Sequence, residues 1–365
     1  MQENKQNTHG GNIYRAQEIY GVSRDDILDY SANINPLGLP QSLKQTIISS
    51  INELVNYPDP ECTALKTGIS DYLGVQQDAV VIGNGASEVI FLLFDVLRPK
   101  KLLIVAPTFS EYERAAYNAG VEVEYFELRE KEEYGLDVSR MFSKISEDID
   151  AVFICNPNNP TSTLTDRACL LELIKYICER NIYVFIDETF IELTPAGNKN
   201  SVVDVLYKFS NLFIIRAFTK VFAIPGLRLG YGLGNKDIVT KMWERKLPWS
   251  VNSFACNMGG VLQDEQDYMS RTCAWIATEK EWFYNQLCKI ERLKAFEPQT
   301  NFVLVKILDE ALNAGELRDR MAAMGILIRD ASNFEFLNHK FFRVAIKDRE
   351  SNIKFMEILN QVLQK

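Results

Sequence analysis

Short apolar runs recur along this chain, and most are followed by a turn and then by apolar positions at helical spacing. Ala79–Ile82, Leu102–Val105, Val121–Phe126, Ala151–Cys155, Ile182–Ile186 and Leu212–Ile215 are too short for buried helices and read as strands. Helical spacing is found over Ser42–Val55 and Cys62–Leu73, from Gly83-Asn84-Gly85-Ala86-Ser87-Glu88 through Leu97, and over Ser110–Asn118 and Asp166–Arg180. A further strand is expected at Leu229–Leu233. Strand-then-helix alternation of this kind predicts an α/β protein with a mostly parallel sheet covered by helices on both faces.

The pattern then changes. Lys236–Arg245, Ser253–Asp264 and Tyr268–Ile290 read as helices. The C-terminal part mixes strands (Phe302–Ile307, Leu327–Arg329, Phe341–Ala345) with helices (Gly315–Met324, Glu350–Leu363), the signature of a smaller α+β domain. Residues 1–8 read as disordered and Ile13–Tyr20 as helical. The expected division is a large domain over 37–265 and a small domain built from 1–36 and 266–365, with an N-terminal arm.

With 365 residues the chain is long enough for two such domains. Its net charge of −9 argues against nucleic acid or an anionic membrane as partner, and leaves room for a local basic pocket. Cys62, Cys155, Cys169, Cys178, Cys256, Cys273 and Cys288 are scattered, odd in number and free of any C-x-x-C pair. They read as reduced thiols of a cytoplasmic protein, with no zinc or other metal centre. His9 and His339 are the two histidines, so a His-rich metal site has few candidates. The polar N-terminus reads against a signal peptide, and no apolar stretch approaches membrane-spanning length.

The candidate chemistry gathers after strands. Leu212–Ile215 leads into Arg216-Ala217-Phe218-Thr219-Lys220, then Pro225-Gly226-Leu227-Arg228, placing one amine at the carboxyl edge of a sheet, where open α/β sheets bind ligands. A lysine in a half-dry site loses its charge readily and can form a Schiff base; a lysine in a surface turn has the same local sequence. Gly83–Glu88 opens a helix whose free amides, with the Ser87 hydroxyl, suit a phosphate. It is neither a Walker loop nor a G-x-G-x-x-G fingerprint, and a plain strand–helix turn fits it equally. Asp187 ends a buried strand and needs a cation or several donors, which a pyridinium nitrogen or a helix N-cap would provide. Asn156–Thr161 is a polar turn whose amides could reach a ring hydroxyl. Arg228 could reach the same phosphate as Gly85–Ser87, while Arg329 and Arg343 close short strands and suit a carboxylate or phosphate, or a surface salt bridge. His9-Gly10-Gly11-Asn12 lets backbone approach a ligand closely, and Asp29–Gly38 reads either as a binding segment or as a surface loop.

Thr219-Lys220-x-Phe222-x-x-Pro225-Gly226-Leu227-Arg228-x-Gly230, with Asn156-Pro157-x-Asn159-Pro160-Thr161 upstream and Asp187-Glu188 between, resembles the fold-type I pyridoxal-phosphate enzymes of aminotransferase class I/II. Within them the chain is most similar to the branch shared by histidinol-phosphate aminotransferases and threonine-phosphate decarboxylases, and its opening, with Ser31–Gly38, resembles the decarboxylases. The resemblance implies pyridoxal 5'-phosphate as cofactor, carried on Lys220, with Asp187 at the pyridinium nitrogen. Asn159 would touch the ring hydroxyl and Phe109 would stack on the ring. Gly85, Ala86, Ser87, Thr219 and Arg228 would hold the cofactor phosphate, joined by Tyr57 of a second subunit in a homodimer. His9, Gly10, Asn33, Asn159, Arg329 and Arg343 would bind a phosphorylated amino acid. Two positions depart from the pattern: Ser162 replaces the usual glycine after Asn-Pro-Thr, and Phe190 stands where the aminotransferases carry a tyrosine. The second departure favours decarboxylation of O-phospho-threonine, or of O-phospho-serine, over transamination of histidinol phosphate. A cofactor-binding sensor domain is the non-enzymatic alternative.

Overall fold

The computed structural model describes residues 9–262 and 265–364. The disorder expected for residues 1–8 therefore lies outside the described residues, as does the end of the helix expected over 253–264. Among the described residues thirteen strands run in chain order as β1 (Leu28–Asp29), β2 (Val80–Asn84), β3 (Lys101–Ala106), β4 (Glu122–Glu127), β5 (Ala151–Cys155), β6 (Tyr183–Asp187), β7 (Leu212–Ala217), β8 (Leu229–Leu233), β9 (Leu293–Ala295), β10 (Phe302–Ile307), β11 (Ile326–Leu327), β12 (Arg329–Asp330) and β13 (Phe341–Ala345).

Seven of them form one sheet in the order β2-β8-β7-β6-β5-β3-β4. All pairings are parallel except the two made by β8, which runs against both β2 and β7. Alternate residues feed two separate cores: Val152, Ile154, Val184, Ile186 and Ile214 face one layer of helices, and Phe153, Phe185, Phe213 and Ile215 the other. Burial on both faces is why these strands read as continuous apolar runs. The crossover connections bring the carboxyl ends of β5, β6 and β7 to one edge, with Asp187 paired to Ile215 in register.

A second, antiparallel sheet in the order β12-β13-β10-β9 encloses its own apolar core against the helices Gln266–Leu287, Ala314–Ala322 and Arg349–Leu363. The N-terminal segment joins this part, since β1 pairs in parallel with β11. Two expected helices are shorter than their periodicity. Ser42–Val55 divides into an α-helix over Gln41–Ser49 and a 3-10 turn over Ile51–Val55, whose apolar side chains Ile51, Leu54 and Val55 stay exposed and give it no packed face. Near Ser253 only Ser253–Cys256 is α-helical, and Asn257–Val261 is a 3-10 turn. There the backbone of Gly259 lies against that of the helix Thr63–Leu73: a Cβ on Gly259 would sit 2.0 Å from the Ala64 carbonyl oxygen, and one on Gly68 would sit 2.1 Å from that of Gly259.

Candidate active site

The edge formed by β5, β6 and β7 opens into a cavity of about 440 Å³ that is also walled by the N-terminal segment and by β12 and β13. Lys220 and Asp187 line this one cavity. Lys220 sits in a single helical turn, Phe218–Val221, started directly by the end of β7. Asn35 clamps that turn, its backbone N–H donating to the Lys220 carbonyl at 3.1 Å and its side chain to the Val221 carbonyl at 2.8 Å. Burial, then the charges of Arg343 and Arg228, pull the Lys220 ammonium down from 10.5 to about 8, with Asp29 opposing.

Asp187 is buried at the tip of β6, and burial raises its carboxyl above the usual range while hydrogen bonds oppose the rise. Its Oδ1 accepts from the Thr189 backbone at 2.8 Å, and its Oδ2 from the Tyr112 hydroxyl at 2.7 Å. The next residue, Glu188, turns to the opposite side of the sheet and meets Arg216 of β7 through two donors at 3.0 and 2.7 Å. Ser201 and Val202 complete that carboxylate's partners. The brace ties the tips of β6 and β7 together and so fixes Asp187 relative to Lys220.

The helix Gly85–Leu97 begins at the cavity wall with Ala86 and Ser87. Gly85 has φ +78°, and a Cβ there would lie 2.4 Å from Arg228 Nη2, so the glycine lets that guanidinium lie against the helix start. Free amides, a hydroxyl and a guanidinium make a seat for a phosphate. Phe109, Asn159 and Thr219 line the same cavity.

Arg343 is buried, with Nη2 donating to the Ser31 carbonyl at 2.7 Å, Nη1 to Asn159 Oδ1, and Nε without a partner. Arg329, also buried, donates to the Asp330 carbonyl and, at 2.7 Å, to Asn333 Oδ1. Among the described residues neither guanidinium is ion-paired, and burial lowers the two cations to about 9 and about 10. Asn33 Oδ1 is buried and unpartnered in the same cavity. The N-terminal arm is bolted to Ser31: Gly11 N–H donates to Ser31 Oγ at 2.7 Å, and a Cβ on Gly10 would meet the Ser31 carbonyl oxygen at 2.2 Å. His9 lies 3.1 Å from the buried Glu111 carboxylate.

The cavity thus gathers His9, Gly10, Asn33, Ala86, Ser87, Phe109, Asn159, Asp187, Thr219, Lys220, Arg228, Arg329 and Arg343, with Gly85 behind Arg228. Tyr57 lies elsewhere, 81% exposed and packed on Trp249 at 4.8 Å. Asp29–Gly38, open between loop and site in the sequence, is a site segment, with Ser31, Asn33 and Asn35 buried. Tyr112, Glu111 and Arg216 were not foreseen. Tyr112 stands in the first turn of the helix Glu111–Asn118, three residues after the non-helical Phe109, and both line the cavity. Ser162, at φ +63°, accepts from the backbone N–H groups of Gln299 and Thr300 at 3.2 and 3.1 Å, bonds a glycine could not make. Phe190 is buried in the cavity wall against Phe302, so its position offers no phenol.

A buried acid and a depressed amine facing one cavity, beside an anion seat and two uncompensated guanidinium groups, fit a phosphorylated aromatic aldehyde together with an anionic amino acid. The profile of the aminotransferase class I and II family matches residues 25–359, and the chain belongs to that family of pyridoxal-phosphate enzymes. It is 33% identical over 356 residues to the threonine-phosphate decarboxylase of Salmonella typhimurium, covering 97% of this chain and 96% of that protein. A protein of Caldanaerobacter subterraneus subsp. tengcongensis, provisionally named a threonine-phosphate decarboxylase, is 38% identical over 96% of this chain and 92% of its own. The crystal structure of the histidinol-phosphate aminotransferase from Clostridium acetobutylicum superposes with a TM-score of 0.85 at 38% identity, covering 93% of this chain and 99% of that one.

Proposed function

We propose that this enzyme decarboxylates L-threonine O-3-phosphate to (R)-1-aminopropan-2-ol O-phosphate, the linker of the cobalamin nucleotide loop. The observation that carries this reading is the pair Arg329 and Arg343, two buried guanidinium groups with neutral partners only. The substrate brings two anions, a carboxylate and a phosphate, where histidinol phosphate brings one. The names of the decarboxylase relatives and the absence of a phenol at Phe190 support the same choice.

Pyridoxal phosphate, when bound, supplies an electron sink for the bond broken at Cα. Lys220 would carry it, Asp187 would face its ring nitrogen, Asn159 its hydroxyl and Phe109 its ring plane. Gly85, Ala86, Ser87, Thr219 and Arg228 would hold its phosphate. Arg343 takes the substrate carboxylate and fixes the orientation of the bond to be broken. Arg329, His9, Gly10 and Asn33 take the substrate phosphate, a remote contact whose binding energy enforces that orientation. The Lys220 amine, facing the same cavity, would return a proton to Cα.

The protein would act as a homodimer: Tyr57, packed on Trp249, is exposed, as are Ile51, Leu54 and Val55 shortly before it in the chain, and a second copy would cover them. Tyr57 would there reach the cofactor phosphate of the partner's cavity. The 38% identity to a histidinol-phosphate aminotransferase structure favours a second reading, transamination. Purified enzyme is given O-phospho-threonine, O-phospho-serine or histidinol phosphate. CO2 release from the first supports decarboxylation, with the serine compound slower by roughly 10-fold or more for its missing methyl. Keto product formed only with an amino acceptor supports transamination, and cofactor binding without turnover supports a sensor. Lys220→Ala is expected to abolish turnover and the absorption band of cofactor linked covalently to the lysine.

A further inference from the structure

The two oxygens of Asp187 are served by different parts of the chain. Thr189, two residues on, donates its backbone N–H to Oδ1, whereas the donor to Oδ2 comes from the helix Glu111–Asn118, 75 positions away in sequence. That donor, Tyr112, is 1% exposed. Its ring stacks on Phe153 of β5 with centroids 3.9 Å apart and meets Phe109 edge-on at 5.6 Å. The ring is therefore fixed from two sides, and its hydroxyl is held at Asp187 Oδ2 with the Cys155 thiol as its other neighbour. Burial and the neighbouring Asp187 charge push the phenol's ionisation well up, so it remains a donor. The Cys155 thiol beside it is pushed up to about 12 by burial and stays protonated as well.

We propose that Tyr112 is a positioning residue whose hydroxyl, donating to Asp187 Oδ2, keeps the proton between Asp187 and the cofactor's ring nitrogen on the nitrogen. The proposal rests on the reading of Asp187 as the partner of that nitrogen. A carboxylate and a pyridine nitrogen at one contact compete for a single proton. Every hydrogen bond donated to the carboxylate stabilises its charged form and weakens its hold on that proton. The proton then resides on nitrogen, where the positive charge gives the ring its capacity to accept electrons. Taking away the phenol donor moves the same proton toward the carboxylate and leaves a neutral ring; nothing is oxidised or consumed. Because the Tyr112 hydroxyl donates to Asp187 Oδ2, its influence on the ring nitrogen passes through Asp187.

Tyr112→Phe keeps the stack on Phe153 and removes one oxygen. The enzyme is loaded with cofactor labelled with ¹⁵N in the ring, and the nitrogen resonance is recorded for the parent, Tyr112→Phe, Asp187→Asn and the double variant. The shift of Tyr112→Phe should move from the protonated toward the neutral position, and kcat/KM should fall about tenfold or more. Tyr112→His, which restores a donor, should recover part of both effects. On the Asp187→Asn background the tyrosine change should have no further consequence. An unmoved resonance in Tyr112→Phe, or the same loss of rate with and without Asp187, overturns the proposal. If Asp187→Asn itself leaves the resonance unmoved, the reading of Asp187 fails and the proposal falls with it.

Discussion

Two groups of buried charge lie on either side of the same strand end, and they are built on opposite rules. Arg216, four residues before Lys220, is buried with Glu188 at 2.7 Å and Glu192 at 3.6 Å, and those carboxylates hold its cation above the ordinary guanidinium range against the cost of burial. Across the sheet edge, Lys220, Arg329 and Arg343 face the cavity with no carboxylate in an ion pair among the described residues, and burial lowers them to about 8, 10 and 9. A compensated buried charge holds two strands together. An uncompensated one is stored affinity for anions, and the brace beside it keeps it in place.

This contrast predicts opposite outcomes for two similar substitutions. Arg216→Met leaves Glu188 buried without its cation and should cost about 3–5 kcal/mol of stability, read by urea unfolding of the cofactor-free protein. Arg343→Met removes a cation that has no carboxylate in direct contact among the described residues and only Asp29 acting on it from a distance. It should lower stability by no more than about 1 kcal/mol, since the lost desolvation penalty offsets two hydrogen bonds. Its effect belongs to ligand binding, where losing a clamp from a desolvated site costs on the order of 2–5 kcal/mol. Equal destabilisation by the two would erase the distinction.

Lys220 tests the same rule through pH. Its folded-state value near 8 lies below the ordinary 10.5, so between these values the unfolded chain binds more protons than the folded one. Stability of the cofactor-free protein should therefore rise with pH from about 8 to about 10.5, by up to ~3 kcal/mol. Lys220→Met should be more stable than the parent at pH 7 and should lose this share of the slope. A parent whose stability falls across that window in comparison with Lys220→Met would refute the assignment of a depressed amine.

How much of this was legible follows from the range of each signal. Asp187, Lys220 and Gly85 stand at the ends of apolar runs, and strand-to-turn punctuation is local, so their gathering at one edge could be read from the chain. The part played by Arg343 and Asn33 rested on likeness to a family, because the pairing of Leu28–Asp29 with Ile326–Leu327 spans almost the whole sequence and is only two residues long. Tyr112–Asp187 and Arg216–Glu188 are side-chain pairings, and no periodicity specifies which of several polar groups will meet. The helix expected after Ser253 failed because the close approach of Gly259 to the helix at Thr63 outweighs helical spacing.

Ser162 extends the comparison to a neutral group, where the expected effect is smallest. It is buried at φ +63°, a region that costs a residue with a Cβ about 1 kcal/mol that glycine would not pay. In return its Oγ accepts from Gln299 and Thr300, and its carbonyl accepts from Gln299 at 2.9 Å, joining the Asn156–Thr161 turn to the segment before β10. Ser162→Gly relieves the backbone but strips a buried acceptor from the Thr300 N–H, which costs about 1–3 kcal/mol. The net should be a loss of about 1 kcal/mol, seen as a lower denaturation midpoint, with turnover nearly unchanged because no ligand contact is removed. A gain in stability would mean that the strained backbone outweighs the bonds it makes possible, and that this polar contact, unlike the Arg216 brace, does not hold its two segments together.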